Sequence, residues 1–134
     1  MKAPVLLALA GLSMSAAQSA EPTGTLTLAC EGTAINLVPD AKPISVSMGI
    51  IVDFADRTVK GFTTTPTDEV KVDSVNEMTI AFSGSGLGKW TINGKIDRVT
   101  GALEATTRIS DPVTHRIAGG ANYSLKCKPA QRMF

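Results

Sequence analysis

Alternation of apolar and polar residues is the dominant pattern of this chain. The clearest run spans Ile44 to Phe54, ISVSMGIIVDF, in which each even-numbered residue is apolar and the intervening residues are mostly Ser, Gly or Asp. Successive side chains of a strand point to opposite faces, so this run predicts a long strand with one buried face.

The same alternation recurs in six further runs. Their apolar members are Leu26, Leu28 and Cys30; Val70 and Val72; Met78, Ile80 and Phe82; Trp90, Ile92 and Ile96; Leu103, Ala105 and Ile109; and Tyr123, Leu125 and Cys127. No segment after residue 20 has the period of a helix. The pattern predicts an all-β domain.

Turn-forming residues separate these runs. They are Pro39-Asp40, Thr65-Pro66-Thr67-Asp68, the stretch from Ser83 to Gly88, and Asp111-Pro112. Two connections, Val52 to Phe62 and Gly94 to Ala105, share an apolar strand end followed by Asp-Arg, Thr and Gly. Both predict short β-hairpins.

The first twenty residues, MKAPVLLALAGLSMSAAQSA, have the form of a secretory signal. Lys2 precedes an apolar run from Val5 to Leu12, which is too short to span a bilayer, and small residues follow. Cleavage after Ala17 and cleavage after Ala20 are both compatible with this pattern. We therefore expect one β domain over residues 21–134, located in the periplasm or secreted.

Export changes the interpretation of Cys30 and Cys127, the two cysteines of the chain. In an oxidising compartment an even pair predicts one disulfide. Each cysteine falls in register with the apolar residues of its strand, one in the first run and one in the last. A bridge between the chain's two ends favours a small antiparallel barrel of about eight strands, with a two-sheet sandwich as the alternative.

Charge and composition exclude several classes of partner. The chain has 13 Lys and Arg against 12 Asp and Glu, and removal of Lys2 with the signal balances them. A neutral domain has no general attraction to nucleic acid. No second long apolar run exists, so no membrane span is expected, and the aromatic girdles of an outer-membrane barrel are absent from the sequence.

The glycine-rich stretch from Phe82 to Trp90, FSGSGLGKW, is the main candidate for recognition. It lacks the P-loop pattern, because Ser83 stands where the first glycine belongs and Trp90 follows Lys89. We expect a flexible hairpin tip, with a recognition loop as the alternative that would bind a partner through Ser83, Ser85, Lys89 and Trp90, with Lys95 nearby. Trp90 either packs in the core or faces a ligand at a barrel mouth.

The sequence does not predict an enzyme. His115 is the only histidine, it follows the Asp111-Pro112 turn, and no nucleophile motif accompanies it. One histidine and two paired cysteines do not form a zinc site. We therefore predict neither catalytic residues nor a metal or other cofactor.

Three segments, LTLACEGT, IDRVTGAL and the YSLKCKPAQRMF ending, resemble a group of small exported alphaproteobacterial proteins with no assigned function. That resemblance implies a periplasmic address and no activity. The stretch SGSGLGKW and Lys95 resemble periplasmic inhibitors of c-type lysozyme, which are eight-stranded barrels with a disulfide. Their Ser-Gly-rich loop plugs the enzyme's cleft, which would give Ser83, Ser85 and Lys95 that role. Leu87 and Gly88 depart from the inhibitors' pattern.

Two functions follow as expectations. The first is a non-enzymatic exported domain that binds a protein partner or a small apolar ligand, or that serves a structural role. The alternative is an inhibitor of a cell-wall hydrolase that acts through residues 83–89. The identity of the partner and the oligomeric state stay open.

Overall fold

The computed structural model describes residues 22–62, 69–86 and 89–130 as an all-β structure. The predicted signal and the predicted turn at residues 65–68 lie outside the described residues. The strands are β1 (Thr25–Asn36), β2 (Ile44–Asp53), β3 (Thr58–Lys60), β4 (Glu69–Val75), β5 (Thr79–Gly86), β6 (Trp90–Asp97), β7 (Ala102–Ser110) and β8 (Ile117–Pro129).

Each strand pairs antiparallel with the next, and β8 pairs with β1 to close a barrel. This confirms the predicted small barrel and rules out the two-sheet sandwich. Both predicted hairpins are present, with turns at residues 54–57 and 98–100 between their strands.

The interior contains the predicted apolar faces. The largest fully buried side chains are Phe82, Ile50, Ile80, Ile92, Leu103, Val52 and Cys30. Phe62 stacks on Phe82 with ring centroids 5.4 Å apart, and its edge meets Tyr123 at 6.1 Å. An eight-stranded barrel is just wide enough for side chains to fill it, and the partly buried Phe62 and Tyr123 pack against this core.

The seam between β1 and β8 carries the disulfide. Cys30 lies directly opposite Cys127, and both face the interior. Their S–S bond of 2.04 Å joins residues 97 positions apart. The predicted bridge is therefore confirmed, and it links the first strand to the last.

The two ends of the barrel differ in their connections. The turns β2–β3, β4–β5 and β6–β7 lie at one end, which we call the turn end. The connections β1–β2, β3–β4, β5–β6 and β7–β8 lie at the other, which we call the loop end. This arrangement follows from the antiparallel order, because each strand reverses direction.

Three residues of the predicted buried faces are exposed: Ile44, which begins β2 at the loop end, Met78 and Ile109. Met78 lies in the β4–β5 turn, because the Asn76 side chain accepts hydrogen bonds from the amides of Met78 and Thr79 and delays the start of β5. Ile109 reaches the loop end, where the β7–β8 register shifts and the inner face is no longer covered. The predictions that these three side chains are buried were wrong.

Candidate functional site

Ser83 and Ser85 lie within a strand and not in a loop. Both belong to β5 and face the outer wall, opposite Lys71 and Glu69 of β4. The Ser83 hydroxyl donates to the Asp73 carboxylate at 2.9 Å. This corrects the prediction of a hairpin tip starting at residue 83.

Close strand packing explains why the glycine signal was misleading. A Cβ at Gly84 would collide with the backbone of Glu69 and Val70 in the neighbouring strand. The glycine therefore permits a close approach of β4 and β5 and does not mark a turn. Residues 87–88, the centre of the predicted loop, lie outside the described residues.

The five predicted recognition residues do not form one surface. Lys95 is on the outer wall of β6, opposite Ala81 on one side and Glu104 on the other. Lys89 and Trp90 lie instead at the loop end, where β6 begins. The structure brings Ser83, Ser85 and Lys95 onto the wall and keeps Lys89 and Trp90 apart from them.

Trp90 lies at the barrel mouth. Its side chain is half-buried, packs against the core, and is paired across the strands with Ile109. Ile109 is in turn opposite Gly119 of β8. A Cβ built on Gly119 would meet no atom within 4 Å, so open space adjoins Ile109 at the mouth.

Exposed hydrophobic side chains concentrate at the same end. Among the described residues, the large exposed hydrophobics at the loop end are Ile35, Val38, Ile44, Ile109, Val113 and Ile117. Those elsewhere are Ile51, Met78 and Val99. We call the first six, together with Trp90, the apolar rim; its members come from β1, β2, β6, β7, β8 and two connections.

Two turns of the barrel share one construction. Asp97 Oδ1 accepts hydrogen bonds from the amides of Val99 and Thr100 at 2.8 and 2.9 Å. Asp111 Oδ1 accepts them from Val113 and Thr114 at 2.7 and 3.1 Å. The shared sequence is Asp-x-Val-Thr, so we call them the Asp97 turn (residues 97–101) and the Asp111 turn (residues 111–115).

The fifth residue of each turn has a left-handed backbone. Gly101 has φ of 82° and His115 has φ of 58°, and each donates its amide to the carbonyl of the turn's aspartate at 2.9 Å. This conformation is less stable for a non-glycine residue than for glycine. His115 thus occupies a position for which glycine is better suited.

Hydrogen bonding lowers the pKa of both aspartates. In the Asp111 turn the Thr114 amide is the main cause and the Val113 amide the second. In the Asp97 turn the corresponding amides are those of Thr100 and Val99. A carboxylate that accepts two backbone hydrogen bonds is stabilised in its charged form.

His115 contacts a residue of the neighbouring connection. The Lys89 ammonium lies 3.2 Å from His115 Nδ1, and Lys89 also has a left-handed backbone, with φ of 60°. An ammonium can only donate, so this hydrogen bond requires the His115 tautomer in which Nδ1 accepts and Nε2 carries the proton. The Lys89 carbonyl accepts from the Ser110 amide at 3.3 Å, which ties the two connections together.

Sequence reasoning missed the exposed members of the rim, above all Val113. The repeated Asp-x-Val-Thr pattern was a usable signal, because it places each valine at a turn tip. The likeness of the two Asp-Arg hairpins hides this pattern, because in the first of them the Asp53 carboxylate accepts from the Asp56 amide and Asp56 does not have the role of Asp97.

In comparisons with known proteins, no family model, curated protein or solved structure matches this chain. Within the described residues, no group of three or more His, Cys, Asp or Glu side chains is arranged to hold a metal ion. The described part of the chain also has no helix with the length and apolarity of a membrane span.

Proposed function

We propose that this protein is a non-enzymatic exported binding domain, and that the apolar rim binds a small apolar ligand. The observation that carries the proposal is the concentration of exposed hydrophobic side chains at one end of the barrel. Large hydrophobic side chains exposed to water at one end of a domain are typical of an interaction surface.

The environment of Trp90 supports a ligand at the mouth. Its ring is half-buried, and the space beside its strand neighbour Ile109 is open. Buried apolar side chains fill the core of the barrel, so we expect the ligand to lie at the mouth and not deep inside. The disulfide is consistent with an oxidising exported compartment.

Fluorescence tests this proposal directly, because Trp90 is the only tryptophan. We expect N-phenyl-1-naphthylamine, a neutral apolar probe, to brighten on binding while Trp90 emission falls. Val113→Ser removes an 84% exposed rim side chain and should weaken probe binding roughly threefold to tenfold.

The Asp97 turn supplies the matched control. Val99 has the same place in its turn as Val113 and is 69% exposed, but it lies at the turn end. Val99→Ser should leave probe affinity unchanged. Equal losses in both variants, or no probe binding at all, would contradict the proposal.

Inhibition of a cell-wall hydrolase has less support from the geometry. Ser83, Ser85 and Lys95 share the outer wall, but residues 83–86 extend a strand and do not form a protruding loop, and the Ser83 hydroxyl is engaged by Asp73. This function stays a prediction. A c-type lysozyme assay tests it: activity that is unchanged by an excess of this protein would count against inhibition.

A further inference from the structure

We propose that Lys89 and His115 form a head-group site beside the apolar rim, and that the ligand is a monomeric anionic amphiphile. Its carboxylate or phosphate group would bind the pair, and its alkyl chain would lie on the rim. This inference rests on the proposed function, because it adds a charged head to the apolar ligand proposed there.

The pair presents several hydrogen-bond donors. One N–H of the Lys89 ammonium points to His115 Nδ1, which leaves two further N–H groups on Lys89 and the Nε2–H of the exposed imidazole. Carboxylate and phosphate oxygens accept such charge-assisted hydrogen bonds well.

The backbone of His115 gives independent support. Gly101 fills the same position of the Asp97 turn without strain, whereas His115 holds a left-handed conformation that costs stability. Strain of this kind clusters at functional sites. A histidine at this position places an imidazole against Lys89, and a glycine would not.

The local charge favours an anion. Arg108 and Arg116 are exposed on the same β7–β8 hairpin as His115. The nearby acid, Asp111, directs its carboxylate to the amides of Val113 and Thr114 inside its own turn. Positive charge therefore predominates at this corner of a domain whose total charge is nearly balanced.

Head and tail sites are adjacent. Lys89 immediately precedes Trp90, and His115 is two residues after Val113. The apolar surface continues inward from Trp90 to the open space at Gly119. A single alkyl chain can follow that surface into the mouth, whereas a flat bilayer cannot, so we assign a monomeric ligand.

Displacement of N-phenyl-1-naphthylamine by three ligands of equal chain length tests the proposal: decanoate, decyl phosphate and decanol. The unmodified protein should bind the two anions about tenfold more tightly than decanol, the gain expected of one charge-assisted hydrogen bond. Lys89→Gln should abolish that preference, and His115→Gly should reduce it severalfold. Lys95→Gln, a lysine on the outer wall, should not change it.

The possible failures are distinguishable. Equal affinity for all three ligands would overturn the head-group site while the proposed apolar site stands. A preference that survives both Lys89→Gln and His115→Gly would overturn the assignment to this pair. Failure of every ligand to bind would overturn both proposals. Binding to vesicles of anionic phospholipid without binding of the monomers would overturn the monomeric ligand.

Discussion

His115 and Gly101 allow a direct test of backbone strain at matched positions. His115→Gly relieves a left-handed non-glycine residue, so we expect the free energy of unfolding to stay level or rise by up to about 1 kcal/mol. Gly101→Ala introduces that strain, and its Cβ would also meet the Cys127 carbonyl. It should cost at least about 1–2 kcal/mol.

Urea unfolding of the two variants beside the unmodified protein measures both effects. The paired design matters, because a loss in His115→Gly as large as that in Gly101→Ala would show that the two turns are not equivalent. The Lys89 contact would then contribute more to stability than an exposed hydrogen bond normally does.

The two turn aspartates predict a specific dependence of stability on pH. Each has a pKa below its ordinary value of 3.8, so the unfolded chain takes up protons before the folded one does. Their contribution is therefore present above that value and is lost as the pH falls through the folded pKa.

Replacing both aspartates by asparagine keeps the hydrogen-bond acceptors and removes the titration. Asn76 already caps the β4–β5 turn through its amide oxygen, with both bonds at 2.8 Å. The Tm of the Asp97→Asn, Asp111→Asn double variant should fall less than the Tm of the unmodified protein when the pH is lowered from 5 to below the folded pKa of the two aspartates. Thermal melts measure this difference. If the Tm of both proteins fell by the same amount over this pH range, the two aspartates would not be the source of the pH dependence.

At the scale of elements, the β1–β8 seam differs from every other seam because a covalent bond crosses it. The disulfide closes a loop of nearly the whole domain, and in the chain-entropy account long loops gain most from such a bond. The Cys30→Ala, Cys127→Ala double variant should lose about 2–5 kcal/mol of unfolding free energy.

Urea denaturation of the oxidised protein, the reduced protein and this double variant measures the loss of unfolding free energy. The reduced protein and the variant should agree, since both leave the strand pairing intact and remove only the cross-link. An oxidised protein no more stable than the variant would show that the bond does not constrain the unfolded chain.

Alternation was a good predictor of elements wherever a strand keeps one face buried along its length. It identified β2, β6 and β8, and the register of Cys30 and Cys127 favoured the correct closure. It failed where contacts between strands override the local signal. Gly84 looks like a turn residue until β4 is packed beside it, and Ile109 looks like a core residue until the barrel ends.

The candidate site was only partly predictable for the same reason. For Trp90 the alternation favoured packing in the core, and its place at a strand start offered a barrel mouth as the alternative; in the structure it is half-buried at the mouth and packs against the core. The rim, however, combines side chains from distant parts of the sequence, and the exposure of each depends on where the strands end. The export signal and the resemblance to exported alphaproteobacterial proteins stay predictions.

For the whole molecule, closure of the barrel determines where binding can occur. The walls use their backbone groups in the ladders and carry mostly polar side chains outward, and the interior is occupied by the buried apolar core. The ends are left. Aspartate side chains cap turns at both ends, and the ends differ in how many large hydrophobic side chains they expose: Met78 and Val99 at the turn end against six at the loop end, among the described residues.

The open space at Gly119 allows a test of ligand binding at the mouth, because a substitution there adds a side chain and removes no contact. Gly119 has an ordinary backbone and room for a side chain, so Gly119→Leu should fold with an unchanged Tm. Its side chain would fill the mouth beside Ile109 and compete with a ligand. We expect the affinity for N-phenyl-1-naphthylamine to fall at least severalfold.

Gly49→Leu is the matched control, because Gly49 is also a strand glycine with an ordinary backbone and only a distant neighbour, Leu28 O at 3.9 Å. Gly49 is in register with the outward-facing residues of β2, so a leucine there should leave probe affinity unchanged. If both leucines reduced affinity alike, the probe would be responding to added surface hydrophobicity. If neither did, the mouth would not be where the apolar ligand binds, and the exposed rim would need another explanation.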